Sequence, residues 1–152
     1  MSDIIKKIIP CNPYSKCMEQ NSEELIKYLR MNLGAKDCEC VSYDTPQFID
    51  CGSNLEEVIC PYCRSSLDFE WWGEAMDAAG ESEFSNLNVL LPCCGKETSL
   101  NDLEYNMPCG FAASEIDILD GNEEIDEEIN ERVLSELSEI AGEKLRVIVA
   151  HY

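Results

Sequence analysis

The stretch Val58-Ile59-Cys60-Pro61-Tyr62-Cys63-Arg64-Ser65-Ser66-Leu67 decides how the middle of this chain folds. Two residues separate its cysteines, and this spacing lets both sulfurs turn toward one point about 2.3 Å from each of them. Backbone amides of such a turn donate hydrogen bonds to the sulfurs. The segment has the form of a zinc knuckle, and it predicts that Cys60 and Cys63 bind a metal.

A second pair of cysteines follows in Leu91-Pro92-Cys93-Cys94-Gly95-Lys96. The residues before it alternate between apolar and polar side chains, which favours a strand leading into a turn. Neighbouring side chains in extended backbone point apart, so both sulfurs reach one metal only if the chain turns sharply, which Gly95 allows. We therefore predict a closed tetrahedral Zn²⁺ site with four thiolate ligands, Cys60, Cys63, Cys93 and Cys94.

This ligand set departs from the usual pattern in two respects. The usual second pair is Cys-x-x-Cys, after a spacer of about 15–20 residues, whereas here the spacer is longer and the cysteines are adjacent. If the sharp turn does not form, Cys109 before Gly110 is the substitute ligand, with Cys51 further back. For the other four cysteines we expect ordinary buried or exposed thiols: Cys11, Cys17, Cys38 and Cys40.

Redox chemistry is the alternative interpretation of the first pair. Cys-Pro-Tyr-Cys is also the active-site tetrapeptide of glutaredoxins, in which a helix N-terminus lowers the pKa of the first cysteine. In that family the motif follows the first strand and a cis-proline loop lies downstream. Here the motif begins at residue 60 and no such loop follows. A thiol–disulfide oxidoreductase that uses Cys60 therefore remains the second hypothesis.

Catalysis by the metal is less favoured than a structural role. Catalytic zinc keeps one coordination position open and usually has histidine or carboxylate ligands. The single histidine, His151, is the penultimate residue, and no motif indicates a nucleophile beside it. The pattern predicts a non-enzymatic metal-binding protein.

Outside the cysteine-rich middle, the apolar pattern predicts three elements on each side. Before it we expect a strand over Ile4–Pro10, a helix over Asn21–Gly34 with a capping box of Asn21 and Glu24, and a strand over Cys38–Tyr43. After it we expect a strand over Phe111–Leu119, a helix over Glu123–Ala141 and a strand over Leu145–Tyr152.

This order predicts an α+β protein with the ferredoxin-like βαββαβ arrangement. Two helices would cover one face of a four-stranded antiparallel sheet. Residues 1–49 and 110–152 would form this split domain, and residues 50–109 a zinc-ribbon-like subdomain inserted between its second and third strands. Within the insertion, Asp68–Ala79 predicts a short helix whose tryptophans, Trp71 and Trp72, pack into a small core.

Several segments together resemble a family of small, uncharacterised bacterial proteins: FIDCGSNLEEVICPYC, WWGEAMDAA, NVLLPCCGKETSLNDLEY and the terminal LRVIVAHY. The resemblance spans more than half of the chain. It implies a zinc-binding ribbon at the paired cysteines and a bacterial cytoplasmic location, and it implies no activity. It also implies that Cys94 is a better ligand candidate than Cys109.

Charge restricts the possible partners. The formal net charge is −20, and between Glu115 and Glu143 twelve acidic residues face a single base, Arg132. Such a field repels the phosphates of nucleic acids and anionic lipids, and it attracts basic proteins. We therefore expect neither a nucleic-acid nor a membrane partner, and we expect a basic protein as the candidate partner.

The N-terminus predicts a cytoplasmic protein with reduced thiols. Its apolar run is interrupted by Lys6 and Lys7, and no small-residue cleavage site follows it. No stretch approaches the roughly 18 apolar residues that a membrane helix needs. With ten cysteines and no export signal, metal binding is a better explanation than disulfides.

Overall fold

A computed structural model describes residues 4–52, 55–107, 109–119 and 129–151, with the backbone alone for His151. Within these residues the chain is a mixed α+β protein with antiparallel sheets. A 3-10 turn, Leu100–Asp102, lies between the sixth and seventh strands. The helices and strands, in chain order, are β1 (Ile4–Pro10), α1 (Cys17–Gln20), α2 (Ser22–Leu33), β2 (Cys38–Ile49), β3 (Glu57–Ile59), β4 (Ser66–Leu67), α3 (Phe69–Glu81), β5 (Asn88–Leu90), β6 (Glu97–Ser99), β7 (Glu104–Asn106), β8 (Gly110–Ile118), α4 (Glu131–Ala141) and β9 (Leu145–His151).

The largest sheet has four strands in the order β2-β8-β1-β9, and all neighbours in it are antiparallel. Strand β2 is longer than the strand predicted from the sequence. It continues past Tyr43, where the predicted strand ends, as far as Ile49. Its register against β8 shifts between Ser42 and Gln47, and pairing then resumes as far as Ile49. A bulge on an edge strand accommodates Pro46, whose missing N–H would interrupt a regular ladder.

Helix α2 has the predicted extent but not the predicted N-terminal cap. The side-chain amide of Asn21 donates to the carbonyls of Cys17 and Ala141, at 2.9 and 3.4 Å, and caps no amide of α2. The predicted capping box with Glu24 is therefore wrong, because the short helix α1 ends directly before Asn21 and the carbonyl of Cys17 binds the side chain of Asn21. Gly34, with φ of 67°, ends α2 as predicted.

Helix α4 begins later than predicted. Asn130 is extended, and its side chain accepts a hydrogen bond from the amide of Val133, so the helix begins at Glu131. The start predicted at Glu123 is wrong for Ile129 and Asn130, which are not helical. Residues 123–128 of that prediction lie outside the described residues. Gly142 ends the helix with φ of 75°.

Apolar side chains cover both faces of the four-stranded sheet. On one face, helices α1, α2 and α4 pack against strand residues such as Ile8 and Ile116. On the other face, Phe111 and Ile148 share a core with residues of the middle segment, among them Val58 and Leu100. The cysteine-rich middle segment is thus attached to the sheet through a common core. The domain limits given above stay a prediction.

The middle segment contains two small sheets and a helix. Strands β4, β3 and β7 form one sheet, and β5 pairs with β6 in the other. Helix α3 confirms the helix predicted from Asp68, whose carboxylate caps it by accepting from the amide of Glu70. The ring of Trp72 packs edge-on against Phe48 at 5.7 Å and Tyr105 at 6.1 Å. No helix among the described residues is long and apolar enough to cross a membrane.

Candidate metal centre

The first cysteine pair lies in the turn that joins β3 to β4. The amide of Cys60 donates to the carbonyl of Ser65 at 2.9 Å, and the amide of Arg64 donates to the carbonyl of Cys60 at 3.1 Å. Arg64 has φ of 65°, the left-handed conformation that reverses the chain. We call residues 60–65 the first turn.

The second pair lies in the turn that joins β5 to β6. The amide of Leu91 donates to the carbonyl of Lys96, and the amide of Gly95 donates to the carbonyl of Leu91, both at 2.9 Å. Gly95 has φ of 72°. The sharp turn that the sequence analysis required is therefore present. We call residues 91–96 the second turn.

The two turns have the same pattern of backbone hydrogen bonds. Residues 60–65 of the first turn therefore correspond, position by position, to residues 91–96 of the second. Position two is proline in both, Pro61 and Pro92, and position four is cysteine in both. The turns differ at positions one and three. Position one is Cys60 in the first turn and Leu91 in the second, and position three is Tyr62 in the first and Cys93 in the second. One of the two thiols therefore lies at position one in the first turn and at position three in the second.

The four sulfurs come together at one place. Their Sγ atoms all lie within 4.8 Å of one another. Two close sulfur–sulfur contacts join the two turns: Cys63 to Cys93 at 3.4 Å and Cys60 to Cys94 at 3.9 Å. Among the described residues, these four cysteines are the group of potential metal ligands whose ligand atoms lie this close together. The four cysteines are thus positioned to bind a metal ion.

The first turn favours thiolates. Desolvation opposes the ionisation of Cys60, but the amides of Cys63 and Tyr62 point at its sulfur from 3.5 and 3.4 Å, and its pKa is lowered. The hydroxyl of Ser65, 3.2 Å from the sulfur of Cys63, and the Ser65 amide lower the pKa of Cys63 to about 6. Both thiols thus have pKa values below that of an ordinary cysteine.

The second turn gives its cysteines less support. Desolvation and the neighbouring sulfurs raise the pKa of Cys93 to about 12. Among the described residues, no backbone amide donates to the sulfur of Cys93 or Cys94. A cation among the four sulfurs favours the ionised form of every one of them, because it offsets the repulsion between thiolates.

The centre lies at the protein surface. Cys60 is fully buried, whereas Cys63, Cys93 and Cys94 are exposed. Tyr62 is half exposed, and the ammonium of Lys96 lies 4.9 Å from the centre of its ring. This contact joins position three of the first turn to the end of the second turn.

The two alternative ligands form a separate pair. Cys51 and Cys109 are each 1% exposed, and each thiol affects the pKa of the other. Burial raises the pKa of both thiols. Neither belongs to the group of four sulfurs within 4.8 Å. Of the remaining cysteines, Cys17 is buried, and the others are partly exposed: Cys11, Cys38 and Cys40.

Comparison of the chain with models of protein families, with curated proteins and with solved structures gives no match in any of the three. The resemblance of its cysteine segments to small bacterial proteins therefore stays a prediction. The structure is that of a mixed α+β protein in which four cysteines, two from each of two equivalent turns, are placed to bind a metal ion.

Proposed function

We propose that the four cysteines bind one structural Zn²⁺ ion and that the protein acts through contacts with another protein, without catalysis. The approach of four sulfurs to within 4.8 Å carries this proposal. Zinc–sulfur bonds of about 2.3 Å in a tetrahedron put sulfurs about 3.8 Å apart. The observed separations of 3.4 and 3.9 Å lie on either side of this value.

The ligand chemistry favours zinc in a structural role. Tetrahedral sites of four thiolates select zinc or iron, and hard cations such as Mg²⁺ prefer oxygen. Four protein ligands leave no open position for a substrate or an activated water. The ion would therefore hold the fold together.

What the ion holds together is a pair of short hairpins. Strands β3 to β6 have two or three residues each, and β7 adds a third short strand to the first hairpin. Hairpins this short depend on packing for their stability. Cys60 and Cys63 belong to one hairpin and Cys93 and Cys94 to the other, so one ion cross-links both. The common core below them then connects the cross-linked hairpins to the sheet.

The proposed architecture is a ferredoxin-like sheet with a zinc-ribbon-like insertion between β2 and β8. The strand order β2-β8-β1-β9 with antiparallel neighbours supports it. This order arises when two β-α-β units interleave, so that each unit holds one strand of the other between its own two strands. The packing of α2 and α4 on one face supports it as well.

Acidic residues around α4 support a basic protein as the partner. A shallow groove along α4 and the start of β9 is lined by two leucines, Leu134 and Leu145, and by three acids, Glu131, Glu139 and Glu143. Lys144 is the one base in the lining. A groove lined by both leucines and acidic side chains suits a basic amphipathic segment.

The redox alternative has less support. A redox-active first cysteine is accessible and lies at the N-terminus of a helix, whereas Cys60 is fully buried in a turn between two strands. Its sulfur also lies 3.9 Å from Cys94, which a dithiol mechanism with Cys63 does not use.

Metal analysis of protein purified without added metal tests the proposed zinc site. We expect about one equivalent of zinc, and loss of that zinc in Cys60→Ser and in Cys93→Ser/Cys94→Ser. Cys11→Ser is the matched control, because Cys11 lies outside the cluster, and it should retain the metal. Protein that contains no zinc, and in which Cys60 alkylates rapidly, would favour the redox alternative.

Capture from a native cell extract tests the proposed partner. Wild-type protein should retain a basic protein in a salt-sensitive manner, and Glu131→Gln/Glu139→Gln should lose it while keeping zinc. Retention of the same protein by both forms would exclude the groove along α4 as the contact surface.

A further inference from the structure

Two acidic residues outside the metal centre, Glu115 and Asp117, lie on the central strand β8 of the four-stranded sheet. Side chains alternate along β8, so Glu115 and Asp117 share the face that carries Phe111. Glu115 is only 4% exposed. A buried carboxyl group needs hydrogen-bond partners or a neutral form, because an isolated charge is costly away from water.

One oxygen of each carboxyl group has no ordinary partner. Oε2 of Glu115 and Oδ1 of Asp117 are both buried, and no donor in the described chain reaches either of them. The two carboxyl groups are nevertheless neighbours on one face of β8, and the neighbouring Glu115 raises the pKa of Asp117. Two ionised carboxylates only accept hydrogen bonds, so a contact between them requires a proton on one of the two.

The surrounding groups come from both neighbouring strands. The Tyr43 hydroxyl of β2 donates to Oε1 of Glu115, the other oxygen of that group. Lys7 of β1 and Glu39 of β2 both pair with Asp117 in register. The ammonium of Lys7 also binds the carbonyl and the carboxylate of Asp50, at 3.1 and 2.9 Å. The charge of Lys7 lowers the pKa of Asp117, whereas Glu115 and Glu39 both raise it.

We propose that Glu115 and Asp117 form a proton-binding site in which a single proton is shared between Oε2 of Glu115 and Oδ1 of Asp117. One proton satisfies both unpartnered oxygens and removes one buried negative charge. The local electrostatics agree, because desolvation and the adjacent Glu115 raise the pKa of Asp117 from 3.8 to about 8. The folded protein therefore holds a proton at pH values at which the unfolded chain releases it.

The sign of the pH dependence follows from this raised pKa. Below 3.8 the carboxyl group is protonated in both states, and the stabilisation is fully present. As the pH rises toward about 8, unfolding releases a proton, so the free energy of unfolding falls with each pH increment. Above about 8 the folded pair is ionised as well, and its contribution is lost.

Proton release on unfolding is the direct test. At about pH 6, between the two pKa values, denaturant is mixed with zinc-loaded protein in a weakly buffered solution that contains an indicator dye. Asp117→Asn and Glu115→Gln should each release about one proton fewer than wild type, because an amide donates to the facing carboxylate without a shared proton. Glu39→Gln is the control for simple charge repulsion and should match wild type.

Two results would overturn the site. One is equal proton release by wild type, Asp117→Asn and Glu115→Gln. The other is a stabilisation of wild type by Mg²⁺ or Ca²⁺ that Asp117→Asn abolishes, since a cation would then occupy the place of the proton. If either amide variant fails to fold, ¹³C NMR titration of the Asp117 carboxyl in wild type decides: the proposal requires a midpoint well above 3.8, and an ordinary midpoint contradicts it.

Discussion

The first and second turns share a backbone but differ in where the thiols are attached. Cys60 in the first turn and Leu91 in the second make equivalent backbone hydrogen bonds, and both side chains are buried. The first turn places its thiols at positions one and four, and the second at positions three and four. A turn of this shape therefore offers three positions whose side chains reach the cluster of four sulfurs, and the sequence uses two of them in each copy.

The same comparison separates a well-supported half of the centre from a weaker half. In the first turn, backbone amides and the Ser65 hydroxyl stabilise the thiolates. In the second turn, Leu91 adds an apolar contact to the common core in place of a thiolate. The first half thus contributes hydrogen-bonded ligands, and the second contributes core packing and two exposed sulfurs.

Removal of the buried ligand should have the largest effect. Cys60→Ser removes the one ligand that accepts two amide hydrogen bonds, so we expect loss of the metal and of a stabilisation on the order of 10 kcal/mol that structural zinc provides. Thermal unfolding with and without added zinc measures it. Cys93→Ser should retain more affinity than Cys60→Ser, and the reverse order would contradict the ranking of the two halves.

Moving the ligand back within the second turn should have an intermediate effect. Cys93→Ser should weaken binding, and Leu91→Cys/Cys93→Ser should restore a four-sulfur site, because position one of the second turn then matches Cys60. The absorption spectrum of the Co²⁺-substituted protein reports the number of thiolates. A double variant that binds no more tightly than Cys93→Ser would show that the turns are not equivalent around the metal.

The smallest effect concerns the left-handed residue of each turn. Gly95→Ala places a Cβ at φ of 72° and should cost about 1 kcal/mol. Arg64→Gly relieves the same strain at φ of 65° but loses the exposed ion pair to Glu104, so its net change should be smaller. Urea unfolding measures both, and Glu104→Gln isolates the ion pair. Equal costs at the two positions would contradict this account.

Some of this structure was predictable because it depends on local chemistry. The Cys60-Pro-Tyr-Cys63 spacing predicted a turn, and Gly95 allowed the sharp reversal on which the predicted role of Cys93 and Cys94 depended. Gly34 ends α2 where the sequence placed that end, because a left-handed residue is the usual way to terminate a helix. In each case a few adjacent residues specify the conformation.

The equivalence of the two turns and the start of α4 were missed because the side-chain pattern of the sequence indicates them only weakly. The two turns share a proline at position two and a cysteine at position four, too little to reveal a repeat along the chain. Their equivalence lies in backbone hydrogen bonds, which Leu91 makes as well as Cys60 does. The start of α4 was placed too early because an acidic, apolar pattern continues before Asn130, and the Asn130 cap decides where the helix begins.

The sequence by itself determined the residue types and spacings that make a thiolate metal site possible, because ligand chemistry and turn geometry are local properties. The tertiary structure decided which sulfurs meet. Packing of the middle segment against Phe111 buries Cys51 and Cys109 as a separate pair and leaves the two turns facing each other. It also decided that Glu115 is buried, since the alternation along β8 shows only that this side chain shares a face with Asp117, and the neighbouring strands remove it from water.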